Sequence, residues 1–189
     1  MSDSVHPQPS GGGGGSAPGA GSQLPPIPVN VRSFRPEDLP DCQRLFVEGL
    51  IGGKIAENDT GLDIDDIPSA YMSSPNNHFW VAENMKCQVV GMIGVQQHQM
   101  GVGEIRRLRV RQDHRRRGIG FALMEAAVRF CKERQFLKVT LDTYLEREAA
   151  IRLFEKLHFK HSRTRTVGEK ELLYFYLDLY SSDRPRKQQ

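Results

Sequence analysis

Seven arginines occupy the twelve positions from Arg106 to Arg117, within the stretch EIRRLRVRQDHRRRGIGFALMEAA, and the run ends on Gly118-Ile119-Gly120 and an apolar helical pattern. A helix start presents backbone N–H groups with no intrahelical acceptor, together with about half a positive charge from the macrodipole. Glycine lets an anion approach the backbone with no Cβ in the way. Arg115, Arg116, Arg117, Gly118, Ile119 and Gly120 therefore combine what a pyrophosphate needs: main-chain amides to cradle it and guanidiniums for its outlying oxygens. The pattern is not a Walker A loop, because no Lys-Ser or Lys-Thr follows the glycines. Nor is it a dinucleotide fingerprint, which would need a third glycine and a downstream acidic residue. Taken singly, each arginine is more often a solvated surface charge; the paired glycines at a strand-to-helix turn are what point to binding.

Such a loop needs a strand ahead of it and a helix behind. The apolar residues ahead are Ile105, Leu108 and Val110, and a gap of three puts Ile105 and Leu108 on opposite faces of a regular strand. Either the phase slips by one residue at a β-bulge, which would splay this strand from its neighbour, or the sheet is buried on both faces. Behind the loop, Leu123, Ala126, Ala127, Phe130 and Cys131 share one helical face, and Arg129, Lys132, Glu133 and Arg134 the other. Upstream, the pattern predicts a strand from Val29 to Phe34 and a helix opening at Pro36-Glu37-Asp38. A polar, acidic segment of loops around a second helix follows over 54–77, then a hairpin of Phe79 to Glu83 and Gln88 to Gln96. Downstream come a strand from Lys138 to Tyr144, a helix from about Glu146 to Leu157, and a terminal hairpin of FKHSRTRTV and ELLYFYLDLY. In that last strand Tyr174, Tyr176 and Tyr180 alternate with Phe175, Leu177 and Leu179, so one face is core and the tyrosine face is either an acceptor cleft or an ordinary sheet face. These elements predict one central sheet flanked by helices, an α/β (α+β) sandwich.

The length of 189 residues suits one domain. Residues 1–28 are dominated by Gly, Pro and Ser and are read as a disordered tail, 29–181 as the folded domain, and 182–189 as a polar C-terminal tail. The N-terminus lacks a basic region followed by an apolar one, so no secretory signal is expected. No run approaches twenty apolar residues, so no membrane span is expected, and the location implied is cytoplasmic or nuclear. Cys42, Cys87 and Cys131 form no C-x-x-C pair and are expected to be reduced and structural. The six histidines are scattered outside any ligand pattern, so no metal is expected. A net charge of +3 is mild overall, and its concentration in one segment suits a small anionic ligand as readily as a nucleic acid. No aromatic residue interleaves Glu104 to Gly120, so a nucleic-acid partner is not expected.

R-x-x-G-x-G after a strand ending LRV, continuing FALMEAAVRFCKERQF, resembles the acetyl-CoA motif of the GCN5-related N-acetyltransferase (GNAT) superfamily. FWVAENMKCQVVGMIGV resembles the hairpin that precedes that motif, and AAIRLFEKLHF resembles its downstream A-x-x-L-Y-x-K-x-G-F block. The likeness runs from about Val29 to Tyr180 and, through FWVAE, EIRRLRV, HRRRGIG and LDT, is greatest to the camello-like branch, whose members carry a membrane-spanning segment not seen in this sequence. It implies a mixed, mostly antiparallel sheet, acetyl-CoA as co-substrate and an amine acceptor, either a small molecule or a protein lysine or N-terminus, acted on by a monomer or homodimer. It also implies that the amides of Arg115 to Gly120 hold the pyrophosphate, that Leu108, Arg109 and Val110 on the strand align the pantetheine, and that Arg147 and Phe154 stand at cofactor-facing positions.

Acetyl transfer to an amine needs no metal, but a primary amine has a pKa of about 10.4, so presenting it neutral at pH 7 costs roughly 4 to 5 kcal/mol without a base. Glu104 lies eleven residues before Arg115, where histone-acetylating members of the superfamily place a catalytic glutamate; its other reading is a salt bridge to one of the nearby arginines. The family's thiolate-protonating tyrosine is replaced by Phe154, which has no proton to give. Tyr144 or water could serve instead, since a thiol pKa of about 8.5 makes a tolerable leaving group, and Tyr144 could also be plain packing. Arg147 stands where many relatives have asparagine, and His158 replaces the glycine before Phe159. These departures keep a second reading open, a GNAT-fold module that binds acyl-CoA or a protein partner with little turnover. The acidic segment Asp59 to Asp66 would attract a cationic acceptor or else be a solvated loop.

Overall fold

The computed structural model describes residues 25–56 and 59–180; the N-terminal reading of residues 1–28 falls almost entirely outside them, and that of 182–189 wholly so. Seven strands are described: β1 (Asn30–Ser33), β2 (His78–Glu83), β3 (Val89–Gln99), β4 (Val102–Val110), β5 (Lys138–Tyr144), β6 (Lys160–Val167) and β7 (Lys170–Asp178). They form one sheet in the order β1-β2-β3-β4-β5-β7-β6. Every pairing is antiparallel except β4 with β5. The helices are α1 (Leu39–Glu48), the single turn α2 (Leu62–Asp65), α3 (Ile119–Glu133) and α4 (Glu148–Lys156), with a π-helical turn at Pro68–Met72.

Two apolar layers sandwich the sheet. On one face α3 and α4 pack Ile119, Leu123, Met124, Ala127, Phe130 and Phe154 against inward residues of the strands. On the other, α1 and the segment around α2 bury Cys42, Leu45, Phe46, Ile64 and Tyr71 against Phe79, Val81 and Met92. Each such fully buried Leu, Ile or Phe contributes roughly 1.5–3 kcal/mol of transfer free energy. The helical spacing in Leu123, Ala126, Ala127, Phe130 and Cys131 is what turns one side of α3 to the sheet.

The slipped phase in β4 is a bulge. Met92 pairs with Arg109 and Gly94 with Arg106, so Arg107 and Leu108 together face the one residue Ile93. Arg107 has φ 57°, a left-handed conformation that costs a non-glycine residue about 1–2 kcal/mol. Ile105 and Leu108 consequently share the α3 face despite their spacing of three, so these two residues are not buried on opposite faces.

Several boundaries differ from expectation. The helix expected from Pro36 begins as a 3-10 turn, Pro36–Asp38, and becomes α-helical at Leu39. β4 starts at Val102, three residues before its first large apolar side chain; Gly103 fits there because a Cβ would meet Cys131 Sγ and Phe136 at 3.0 Å. β7 ends at Asp178, so Tyr180 lies beyond the strand with 54% of its surface exposed and does not continue the tyrosine face. Cys42 and Cys131 are buried free thiols, as expected, but Cys87 is exposed in the β2–β3 turn at φ 58° and packs no core. No helix of the described residues is long and apolar enough to cross a membrane.

Candidate active site

β4 and β5 pair over only three positions, ending at Glu104 with Thr140. Beyond that point the bulge turns β4 away and the strands part, leaving a cleft between Ile105–Val110 and Leu141–Tyr144 whose walls are backbone edges with no strand partner across the gap. A strand edge with free N–H and C=O groups can align an extended amide-bearing chain.

The arginine-glycine loop closes the wide end of this cleft. Arg115 Nε donates to the Val110 carbonyl at 3.0 Å, tying the loop to the end of β4. Arg116 and Gly118 both take left-handed conformations, φ 62° and 82°. Gly118 is the N-cap of α3, and the first helical bond runs from Ala122 N–H to the Gly118 carbonyl at 3.0 Å. The amides before Ala122 therefore point outward unsatisfied. A Cβ on Gly118 would meet nothing within 4 Å, so that glycine is required by its φ; a Cβ on Gly120 would meet Leu153 Cδ2 at 3.2 Å, so that one admits α4. Arg117 Nε is buried without a partner. Outward amides, open space beside Gly118 and an orphaned guanidinium N–H form a fit for a phosphate group.

Alternation places Glu104 on the face away from α3, in register with Gln96 on β3 and Thr140 on β5. That same face carries Asp142 and Tyr144 on β5 and Tyr174 and Tyr176 on β7. Among the described residues Glu104 makes no ion pair with an arginine: its neighbour is His98, Nδ1 to Oε2 3.5 Å. The nearby arginines are engaged elsewhere, Arg106 with Gln96, Arg107 with two aspartates, and Arg111 with Asp113. Desolvation pushes the Asp142 carboxyl above the ordinary value, and the charge of Glu104 adds to this. The one sequence signal for Asp142 is its alternation with Val139, Leu141 and Thr143 in KVTLDTY, which turns it away from the core. Tyr144 stands at the end of the same face, half-buried, with Lys170 Nζ 5.9 Å from its ring centre. Phe154 is 4% exposed, packed with Phe159 and Phe175 in the core beneath the cleft.

The acidic segment is divided: Asp65 and Asp66 are exposed to solvent, whereas Asp59 and Asp63 are taken up by an arginine. Asp59 and Asp63 both clamp the Arg107 guanidinium: Nη2 donates to Asp59 Oδ1 at 2.7 Å and Nε to Asp63 Oδ2 at 2.8 Å, with further bonds from Nη1 and Nη2. The guanidinium lies 5.0 Å from the Phe46 ring centre. Burial would push Arg107 down, but the two carboxylates hold it above the ordinary guanidinium range; reciprocally, the Arg107 bonds outweigh burial and bring Asp59 down to about 2. This buried group fixes the segment before and within α2 onto the bulge and so builds the wall of the cleft on the α1 side. Arg109 and Arg147 meet on that side as well. Arg147 Nη2 donates to the Gly49 carbonyl at 2.7 Å, and a Cβ on Gly49 would collide with Arg109 Nε and Cδ. Among the described residues no group of three or more His, Cys, Asp or Glu could hold a metal ion.

Comparison with known proteins agrees with this architecture. The chain is similar to N-acetyltransferase family 8 member 3 of Rattus norvegicus, 37% identical over 106 residues that cover 52% of this chain and 45% of that protein. It is also similar to the probable N-acetyltransferase camello of Xenopus tropicalis, 38% identical over 107 residues covering 56% and 48%. The matches thus span about half the length of each relative. Among solved structures, yncA from Salmonella typhimurium, determined with its cofactor acetyl-CoA, superposes with a TM-score of 0.70 at 16% identity, over 85% of this chain and 99% of that one. Residues 42–159, which hold the bulged strand, the arginine-glycine loop and α4, match the Acetyltransferase (GNAT) family, and the chain belongs to that family.

Proposed function

We propose that the chain transfers the acetyl group of acetyl-CoA to a primary amine by direct attack within a ternary complex. The observation that carries this is the short β4–β5 pairing: the strands part at Glu104 and Thr140, so the only candidate base on β4 stands where the cleft begins. Acetyl-CoA supplies an electrophilic thioester and a leaving thiolate. In this reading the outward amides of Gly118, Ile119 and Gly120, with Arg115, Arg116 and Arg117, hold its pyrophosphate. The backbone edge at Leu108 and Val110 aligns its pantetheine and donates to the thioester carbonyl as charge develops there. Glu104 accepts the proton of the attacking amine, directly or through a water, so that the nitrogen lone pair is free to form the C–N bond. The adduct's nitrogen then gives up its second proton to solvent, the C–S bond breaks, and the thiolate takes a proton from water or from Tyr144. Phe154 supplies none, and its ring serves as the apolar floor.

The burial of Phe154 where a proton donor is expected also supports a second reading, a module that binds acyl-CoA with little turnover. Calorimetric titration with acetyl-CoA, paired with turnover assays on an amine panel, decides between them. Wild type should bind at micromolar levels, and Gly118→Glu/Gly120→Glu should abolish binding. Glu104→Gln should reduce kcat by about 100- to 10,000-fold while leaving acetyl-CoA affinity within a few-fold. Binding with no turnover on any amine would leave only the second reading, and no binding by folded wild type would remove both.

A further inference from the structure

Acetylation of an amine must take two protons from one nitrogen. The ammonium loses the first before attack, and the tetrahedral adduct loses the second before the thiolate departs. Until the second proton goes, the adduct's easier leaving group is a neutral amine, and it falls back to the thioester. Glu104, having taken the first proton, has no place for the second. A base that acts within the short life of the adduct must already stand in the cleft.

Asp142 occupies that position. Glu104 and Thr140 are the last pair of the β4–β5 ladder, and Asp142 is the next residue of β5 on the same face, the first beyond the point where the strands part. At ideal sheet geometry, one strand across and two residues along separates backbones by about 8 Å, a gap two carboxylate side chains can close around one nitrogen. The two carboxylates thus belong to the two walls at the start of the cleft, Glu104 on β4 and Asp142 on β5. Among the described residues no cation pairs with Asp142, whereas Asp38, Asp59, Asp63, Asp113 and Asp178 are each paired. Arg106 on β4 is bound to Gln96, and Tyr174, the register partner of Asp142 on β7, has Arg163 4.4 Å from its ring centre. Desolvation and then the charge of Glu104 raise the Asp142 carboxyl, Arg106 opposes them, and Asp59 adds to them. Desolvation, the larger cause, persists once Glu104 is neutral, so the carboxylate keeps its raised proton affinity at the step that needs it. Asp142 is exposed, so a proton taken up there can pass on to water.

We infer that Asp142 is the acceptor of the second proton, a catalytic base that works after Glu104 from the opposite wall of the cleft. With Glu104 protonated, the Asp142 carboxylate removes H⁺ from the adduct's nitrogen. The oxyanion then re-forms the carbonyl, and the C–S bond breaks with its electron pair on sulfur. Two protons have left on two carboxylates; the thiolate regains one from its own donor, so one is released in net. The inference rests on the acetyl-transfer reading and puts Asp142 in the place of solvent as the first acceptor of that proton.

The test measures kcat and KM for spermidine, phenethylamine, L-phenylalanine and a lysine-containing peptide at saturating acetyl-CoA, and compares variants on whichever amine wild type turns over fastest. Asp142→Asn, of nearly the same shape, should lower kcat by about 100-fold, with amine KM and acetyl-CoA affinity each held within about threefold. Asp142→Ala should lose as much. Formate, a carboxylate small enough for the vacated space, should raise the kcat of the alanine variant saturably by about tenfold or more, and should leave wild type and Asp142→Asn unchanged. A merely structural role for Asp142 gives no such rescue. A kcat within about threefold of wild type in Asp142→Asn, or a raised amine KM with kcat unchanged, overturns the proton role alone. So does a lost kcat that formate leaves unrestored. Binding of acetyl-CoA by wild type with no turnover of any of these amines refutes acetyl transfer itself, and the part of Asp142 with it.

Discussion

Replacing Arg107 by Met should be the most damaging single change in this chain outside the apolar core. The Arg107 side chain is 5% exposed and its two partners, Asp59 and Asp63, are 23% and 13% exposed. Methionine fills much of the same volume and can still lie on Phe46, so the loss falls mainly on two carboxylates left half-buried without a cation. Breaking one partner out of such a buried group costs about 3–5 kcal/mol. With an m-value of about 2 kcal/mol/M, the urea midpoint at pH 7 should fall by roughly 2 M. Removing the stranded charges together, in Arg107→Met/Asp59→Asn/Asp63→Asn, should recover most of that loss, because a wholly uncharged group has no unpaired ion to desolvate. The pH dependence follows from the same bonds. Asp59 in the folded protein is brought down to about 2, below its ordinary value of 3.8, so its contribution is complete above about pH 4 and is lost as pH falls toward 2. In the methionine variant the bonds from Arg107 are gone, and burial is opposed only by the Gly61 amide at Asp59, the Tyr71 hydroxyl at Asp63 and the charge of Arg106, so acid relieves the variant. The gap between the two proteins should therefore narrow steadily from pH 7 to pH 3. A loss below about 1 kcal/mol at pH 7, or a gap that widens on acidification, would show that this group does not hold the cleft wall and would refute the reasoning.

Tyr144→Phe should change kcat by less than about threefold, since a thiol pKa of about 8.5 lets the thiolate leave unassisted; a drop of a hundredfold or more, measured by thiol release, would make Tyr144 the acid. Iodoacetamide should label Cys87 alone in the native protein. Burial pushes the Cys42 and Cys131 thiols up to about 12, so they should react only in denaturant, and native labelling of either, read by peptide mass, would contradict the packing of α1 or α3.

Local pattern carried much of this fold. The glycines and the helical spacing from Ile119 mark the phosphate loop and α3, and the spacing of Ile105, Leu108 and Val110 left only a bulge or two-sided burial to choose between. What settled the choice was the register of β3, which no local pattern encodes. Arg107 shows the limit most sharply. Among seven arginines it has no distinguishing neighbour, and the aspartates that claim it lie 44 and 48 positions earlier in a segment that reads as polar loop. Charge pairs of this separation depend on where α1 and α2 settle, and so do the meeting of Arg109 with Arg147 and the role of Gly49. Glu104 stands out through the family likeness, but that its neighbour is His98 and not an arginine follows only from the three-dimensional partners of each arginine. Tyr180 was misplaced for the opposite reason: alternation continues in the letters after the chain has left the sheet.

The three-residue seam between β4 and β5 has a mechanical meaning. On one side of it lie β1 to β4 and on the other β5, β7 and β6, two strand groups that share almost no backbone hydrogen bonds and are riveted chiefly by the side chains of α3 and α4. The hydrogen-bonded ladder between the two groups stops at Glu104 and Thr140, so beyond that point neither group's ladders brace the other. A molecule lying in the cleft between them would act as a cross-brace, converting two loosely coupled half-sheets into a single stiff body.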